Sequence, residues 1–465
     1  MILKSINLIL KNFLTFPAFQ SDKRINMRYF FVVYILFSSL ILSQVPDSSI
    51  QNSLRFAVDS IAIEGNDITE EFIILRELTF GVNDSVDTGI LAYNRERIFS
   101  LGLFNYVEMQ AGFLGSKSIV KIIVRETWYI YPIPFVKLEN NSFDKAAYGI
   151  NFLWRNFRGR DETVRALISF GYDPTYGVSY YNPALSDSKE YNFAFGIVKQ
   201  KMANKSNQAA YLFGSDFDYN IFYGDVTFGK RLNQFNEFLI FAGFDYVESP
   251  DKYIKGITAS NSRIDRSVLA GFNYIYDTRD LKQFSRNGIY TSLRYTHKGF
   301  GIKNIDFNIL HVDFREYRPV IDDLAARWRL EYRHTFGRLV PYYDRSFFGF
   351  TDIIRGHRTD EREGHNLILS SLELSYPIIK EWHLSFSLPP LPKQLTSARI
   401  GFFISLFGDT GLTYDNGEPI TLKKLDSGWG IGLTMLILPY NAFRIEYAFD
   451  EEMNGEFLFG TGFSF

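Results

Sequence analysis

The side chains best equipped for chemistry are few, and most are wrongly spaced for it. The histidines (His297, His311, His334, His357, His365 and His383) show no spacing that would close around a metal ion. The chain has no cysteine, which excludes disulfides, thiolate catalysis, cysteine-ligated metals and a cysteine-borne lipid anchor. No Gly-x-Ser-x-Gly elbow presents a nucleophilic serine. Asp277, Arg279 and Asp280 could suggest acid/base work. At a strand end before a hairpin, a turn-stabilising ion pair fits them better. The glycines of Gly428-Trp429-Gly430-Ile431-Gly432 lie inside an alternating strand, not in a nucleotide-binding loop. What remains is a fixed charge. Arg355 is followed by Gly356 and surrounded by Phe347, Phe348, Phe350, Ile353 and Ile354. A guanidinium can form two parallel charge-assisted hydrogen bonds to a carboxylate, so the chemistry on offer is anchoring. A solvated loop arginine is the bland alternative, and a hydrolase the enzymatic one. The residues themselves imply no catalytic group, no metal and no cofactor.

Two strands must frame that arginine. Leu324, Ala326, Trp328, Leu330 and Tyr332 share one face, and Arg327, Arg329, Glu331 and Arg333 the other. Downstream, Leu372, Leu374 and Tyr376 alternate with Ser371, Glu373 and Ser375. The segment between them, 337–364, far exceeds the about 2–5 residues of ordinary hairpin loops. It is too apolar for a solvated tail, so it must pack on something. Parity places Glu373 opposite Leu372 and Leu374, and Asp409 opposite Ile400, Phe402, Ile404 and Leu406. Near the end of the chain, Phe443, Ile445, Tyr447 and Phe449 oppose Ala442, Arg444, Glu446 and Ala448. Phe457, Phe459, Phe463 and Phe465 oppose Leu458, Gly460, Gly462 and Ser464. A soluble sandwich would bury such charged faces or leave the aromatic ones in water. Lipid outside and a lumen inside accommodate both.

Composition agrees. Aromatic residues make up 17% of the chain, yet mean hydropathy is near zero, as in a transmembrane barrel of alternating strands. A net charge of −2 argues against nucleic acid as a partner. Residues 1–44 read as an N-terminal extension and signal peptide, with the true start expected at Met27. Arg28 precedes an apolar run from Tyr29 to Leu42, short of the about 20 residues of a spanning helix. An N-terminal membrane anchor is the alternative.

Residues 55–126 have another rhythm. A strand ends at Gly65-Asn66, and Thr69 caps a helix over TEEFIILREL. A second helix runs from Thr88 to Leu101 and stops at Gly102. Strands Phe104–Gln110 and Ser118–Glu126 follow, giving a small α+β domain of order βααββ. No flexible linker separates it from Trp128.

FFGFTDIIRGHRTD at 347–360 resembles the sixth loop of the BamA/TamA outer-membrane assembly superfamily, with Ile354 and His357 replacing that motif's valine and aromatic residue. RNFRGRDE at 155–162, YDTRD at 276–280, SRNGIYTSL at 285–293, LELSYPI at 372–378 and FGDTG at 407–411 match the same family in order. EGN at 64–66, REL at 76–78 and SLGLFNYVE at 100–108 resemble one of its POTRA repeats. The resemblance implies a mainly β fold: a sixteen-stranded antiparallel barrel over 128–465, preceded by one POTRA-like domain. Sixteen strands there would average about 21 residues each with their connections, suitable for such a barrel. It also implies an inward loop whose Arg355, beside Gly356, meets Asp409 and Glu373. Phe104, Tyr106 and Glu108 would line an edge for a client strand. The first strand, Ile130–Leu138, and the last would meet at a seam weakened by Gly460 and Gly462 and ending at Phe465. The location would be the outer membrane with the small domain in the periplasm. Partners would be lipids, unfolded or exported polypeptides and accessory assembly proteins. The function would be non-enzymatic insertion or translocation; the alternatives are a dedicated secretion pore and a passive channel.

Overall fold

The computed structural model describes residues 55–462 except 139–142, 186–188, 251–253, 261, 303 and 350–351. The leader with Met27, the loop residue Phe350 and the terminal Phe465 lie outside the described residues.

The small domain comprises β1 (Phe56–Ala57), β2 (Ser60–Glu64), α1 (Glu71–Leu75), β3 (Ser85–Val86), α2 (Thr88–Ser100), β4 (Phe104–Leu114) and β5 (Lys117–Glu126). Its sheet has the order β2-β5-β4, with β5 parallel to β2 and antiparallel to β4. Central β5 buries Ser118, Val120, Ile122 and Val124 at every second position, the period of a strand covered on one face. Asp87 caps α2 by accepting from the Ile90 N–H at 2.9 Å.

One expectation needs correction. The first helix stops at Leu75, and Thr69 does not cap it. The Thr69 hydroxyl instead meets Glu126 at 2.6 Å and Tyr129 at 3.1 Å. Beyond the helix, Glu77 turns inward to Arg97 at 2.9 Å and to Arg231 at 2.8 Å. Contacts with the second unit override local helix propensity.

That unit runs β6 (Ile130–Leu138), β7 (Ala146–Phe157), β8 (Glu162–Gly171), β9 (Thr175–Asn182), β10 (Tyr191–Ala203), α3 (Asn207–Phe213), β11 (Asp218–Arg231), β12 (Asn236–Glu248), β13 (Ile264–Asp277), β14 (Gly288–Lys298), β15 (Phe307–Ile321) and β16 (Leu324–Gly337). It continues with β17 (Ser346–Phe348), β18 (Arg362–Gly364), β19 (Asn366–Ser385), β20 (Ser397–Tyr414), β21 (Asp426–Leu438), β22 (Asn441–Phe449) and β23 (Gly455–Thr461). All but β17 and β18 form one 16-stranded antiparallel sheet in chain order. Ile240, Ile404, Ile431, Leu433, Ile445 and Phe459 are exposed outside, while Asp313, Glu331, Glu373, Asp409 and Glu446 are buried inside. This is the inverse of a soluble core and suits a bilayer.

The segment 338–365 curls into the interior and carries the β17–β18 hairpin, so it is not the structureless loop its length suggests. Its Tyr343 hydroxyl donates to Asp265 of β13 at 2.6 Å, and Asp344 meets Lys298 of β14 at 2.9 Å. Farther along, it reaches β20 and β22. One loop can touch walls so far apart in the strand order only because the sheet closes around it as a barrel.

The small domain is fused to one end of that barrel. Arg155 of β7 donates to the Leu101 and Gly102 carbonyls at 2.6 and 2.9 Å. Arg97 donates to the Gln234 carbonyl at 2.8 Å, and the Tyr93 hydroxyl to that of Thr278 at 2.8 Å. Glu96 accepts from Arg399 at 2.7 Å, and Thr127 reaches the Tyr440 hydroxyl at 3.0 Å. Beneath these contacts, Ile98, Phe99 and Leu103 share one apolar core with Leu281, Phe284, Phe403 and Leu438.

Candidate functional site

Arg355 is 5% exposed. Its Nε and Nη2 donate to the two Asp409 carboxylate oxygens at 2.7 and 2.8 Å, a forked pair, while its own backbone N–H donates to Asp409 at 3.1 Å. Nη1 donates to Glu446 at 2.9 Å and to Glu373 at 3.4 Å. The guanidinium lies 3.7 Å from the Phe407 ring centre, a cation–π contact. Glu373 also accepts from Arg327 at 3.3 Å, and Arg444 comes within 3.8 Å of Glu446. Arg355, Arg327 and Arg444 thus balance Asp409, Glu373 and Glu446, which is how charge survives burial.

The backbone around the arginine explains the neighbouring glycines. Gly356 has φ +101°, and a Cβ there would lie 2.6 Å from the Phe449 carbonyl oxygen. On the wall, a Cβ on Gly428 would lie 1.8 Å from the Arg355 carbonyl oxygen. Gly428 of β21 makes the space into which the loop presses.

Strand periodicity and the family likeness singled out Arg355, Gly356, Glu373 and Asp409, and the structure brings these four together. Sequence reasoning missed Glu446 as a partner, although its parity with Ala442 and Arg444 was visible. It also missed Glu456, which accepts from the Gly356 N–H at 2.7 Å. His357, standing where the motif has an aromatic residue, faces Glu451 at 2.7 Å and Asp360 at 2.9 Å. Asp277 and Arg279 form a forked ion pair at 2.9 Å.

The proposed client edge needs correction at its start. Strand β4 is an outer strand of its sheet, but Phe104 is fully buried in the shared core and Asn105 reaches the Gln394 carbonyl. Tyr106 packs edge-on against His383, with ring centres 5.2 Å apart. The β19–β20 hairpin covers this end because β19 and β20 extend well past their neighbours. Glu108 is half-buried, and Gln110, Ala111 and Gly112 are exposed. At the other proposed feature, β6 and β23 stand at the two ends of the sheet order, and no ladder joins them among the described residues. Gly462 has φ +102° with open space around it, whereas Gly460 packs on Arg444.

A sixteen-stranded antiparallel barrel, apolar outside, charged within and occupied by its own arginine-anchored loop, defines an outer-membrane β-barrel. The chain belongs to the Omp85 superfamily, whose domain matches residues 156–465. It is similar in fold to BamA from Haemophilus ducreyi lacking POTRA domains 1–3, with 16% identity over 88% of this chain and 84% of that one, and a TM-score of 0.52. CdiB from Escherichia coli is similar at 12% identity, over 91% and 93% of the two chains, with a TM-score of 0.50.

Proposed function

We propose that this barrel inserts or translocates polypeptides at the outer membrane without covalent catalysis, admitting client strands laterally between β6 and β23. The observation that carries this reading is that no ladder joins those strands among the described residues. An unpaired edge in lipid leaves backbone groups unsatisfied, and an incoming extended strand satisfies them. The loop held by Arg355 lies in the lumen, and the small domain sits across one end. In this reading that domain faces the periplasm and captures clients on the part of β4 beyond Glu108, by strand addition. Its partners are unfolded or exported polypeptides, outer-membrane lipids and accessory assembly proteins.

Depletion of the protein tests the reading. An assembly factor should lower many outer-membrane barrels together, whereas a dedicated secretion pore should strand a single cargo. A disulfide engineered between β6 and β23 should stop client insertion; unchanged insertion with the seam locked would sink lateral entry.

A further inference from the structure

We infer that the client strand extends the sheet from β23, and that β6 is the blunted side of the seam. The inference rests on the lateral-entry reading above and adds its direction.

Backbone groups in a strand point alternately to its two neighbours, so one known bond fixes the phase of the rest. The Tyr129 carbonyl, at the start of β6, accepts from the Arg155 N–H at 2.8 Å, and Ile130 pairs with Trp154 in register. Tyr131, Ile133 and Phe135, in the same phase as Tyr129, therefore turn their backbone groups to β7. Ile130, Pro132, Pro134 and Val136 turn theirs to the seam. Proline has no N–H. Two successive seam-facing positions of β6 thus present carbonyls without donors, and their rings crowd the space a partner backbone would occupy. Proline in a sheet belongs on an edge strand, which is where both prolines keep β6.

The opposite side is intact. The Gly462 N–H donates to the Ala442 carbonyl at 2.8 Å, and Thr461 pairs with Phe443. Even-numbered residues of β23 therefore bond to β22. Gly455, Phe457, Phe459 and Thr461 face the seam, each with its N–H and C=O available. A strand added here continues the β22–β23 ladder without interruption. The side chains specify its chemistry. Phe457 and Phe459 are 65% and 71% exposed on the outer face, so an added strand extends the apolar band when every second residue is apolar. The partner is an extended polypeptide segment with that alternation, as in a barrel strand.

Photocrosslinking in the full chain, in native outer membranes, tests the direction. p-Benzoylphenylalanine is placed at Phe457 or Phe459 on one side and at Ile130 or Val136 on the other. Client polypeptides should crosslink about tenfold more from β23, since β6 lacks two donors, each supporting a hydrogen bond. Phe459→Pro removes a seam-facing donor while sparing the β22 ladder. It should reduce capture from Phe457 to the level of β6, with the barrel still folded by its heat-modifiable gel mobility. Pro132→Ala with Pro134→Ala should raise capture at Val136. Equal or greater capture by β6 in the unaltered chain overturns the inference and leaves lateral insertion standing. A product of twice the chain's mass, meaning a second copy, overturns it too. No client from either edge overturns both readings.

Discussion

Replacing Arg355 by alanine would leave Asp409, Glu446 and Glu373 close together in the lumen, with only Arg327 and Arg444 to balance them. Removing one partner from a buried charge cluster costs about 3–5 kcal/mol, far more than an exposed pair contributes. Arg355→Ala should therefore release the loop, read as new protease cleavage within 342–363 and an earlier thermal transition in the heat-modifiability assay. Arg355→Lys should recover only part of the loss, because an ammonium cannot fork onto both Asp409 oxygens. Arg355→Asp combined with Asp409→Arg should recover more than either single change. His357 adds a pH-dependent tether. Burial works against its charge, but the hydrogen bonds its ring N–H groups donate to Glu451 and Asp360 outweigh burial and raise its pKa to about 9 from the ordinary 6.5. A raised folded pKa means the tether is complete below pH 6.5 and is lost as pH rises through about 9. Loop protection should fall across that interval, and His357→Gln should remove the pH dependence. A loop equally protected at both ends of the interval would rule out a role for the imidazolium.

Elements position these residues by close approach, which makes a small change at Gly428 informative. Gly428→Ala puts a methyl where the Arg355 carbonyl now lies, and backbone cannot yield as a flexible side chain would. The substitution should cost about 1–3 kcal/mol and displace the loop, detected as cleavage like that of Arg355→Ala without any change of charge. An unshifted proteolysis pattern would mean that the loop does not press on β21. The same elements show how far the sequence could be read. Strand alternation located β16, β19, β21, β22 and β23, and put Glu373 and Asp409 on the lumen face, because period-two patterning is local and strong. Helix α3, and the lengths of β19 and β20 beyond their neighbours, were not legible: no period marks where a strand stops rising above the rim. The early stop of α1 and the rerouting of Thr69 depend on Tyr129, Glu126 and Arg231, far away in the chain. The shared core of Ile98, Phe99, Phe284 and Phe403 has the same origin. Local pattern cannot encode partners that only the closed barrel brings near. The prolines of β6 were in plain view, yet their meaning needed the phase of its bonding to β7.

On the scale of the whole molecule, two elements stand in the path through the barrel and are expected to act as closures in series. The anchored loop lies in the lumen, and the small domain, held by Arg97, Arg155, Arg399 and the common apolar core, sits across one end. Between and beside them remain chambers of about 570 Å³ next to Lys298 and Arg333, and about 450 Å³ next to Arg155 and Arg231. Resistances in series are governed by the larger, so opening one closure alone should change little. In planar bilayers the unaltered chain should show low, intermittent conductance. Arg355→Ala should raise it slightly, because the small domain still blocks the path. Loosening the domain through Arg97→Ala with Arg399→Ala should do the same, because the loop remains. Combining all three changes should give a wide, steady pore, larger than the sum of the separate effects. That excess over additivity is the signature of two gates on one path. If the unaltered chain already conducts steadily, the path is open in the resting protein and a passive channel becomes the better reading. If the triple variant stays closed while its loop is protease-sensitive, something other than these two elements seals the lumen.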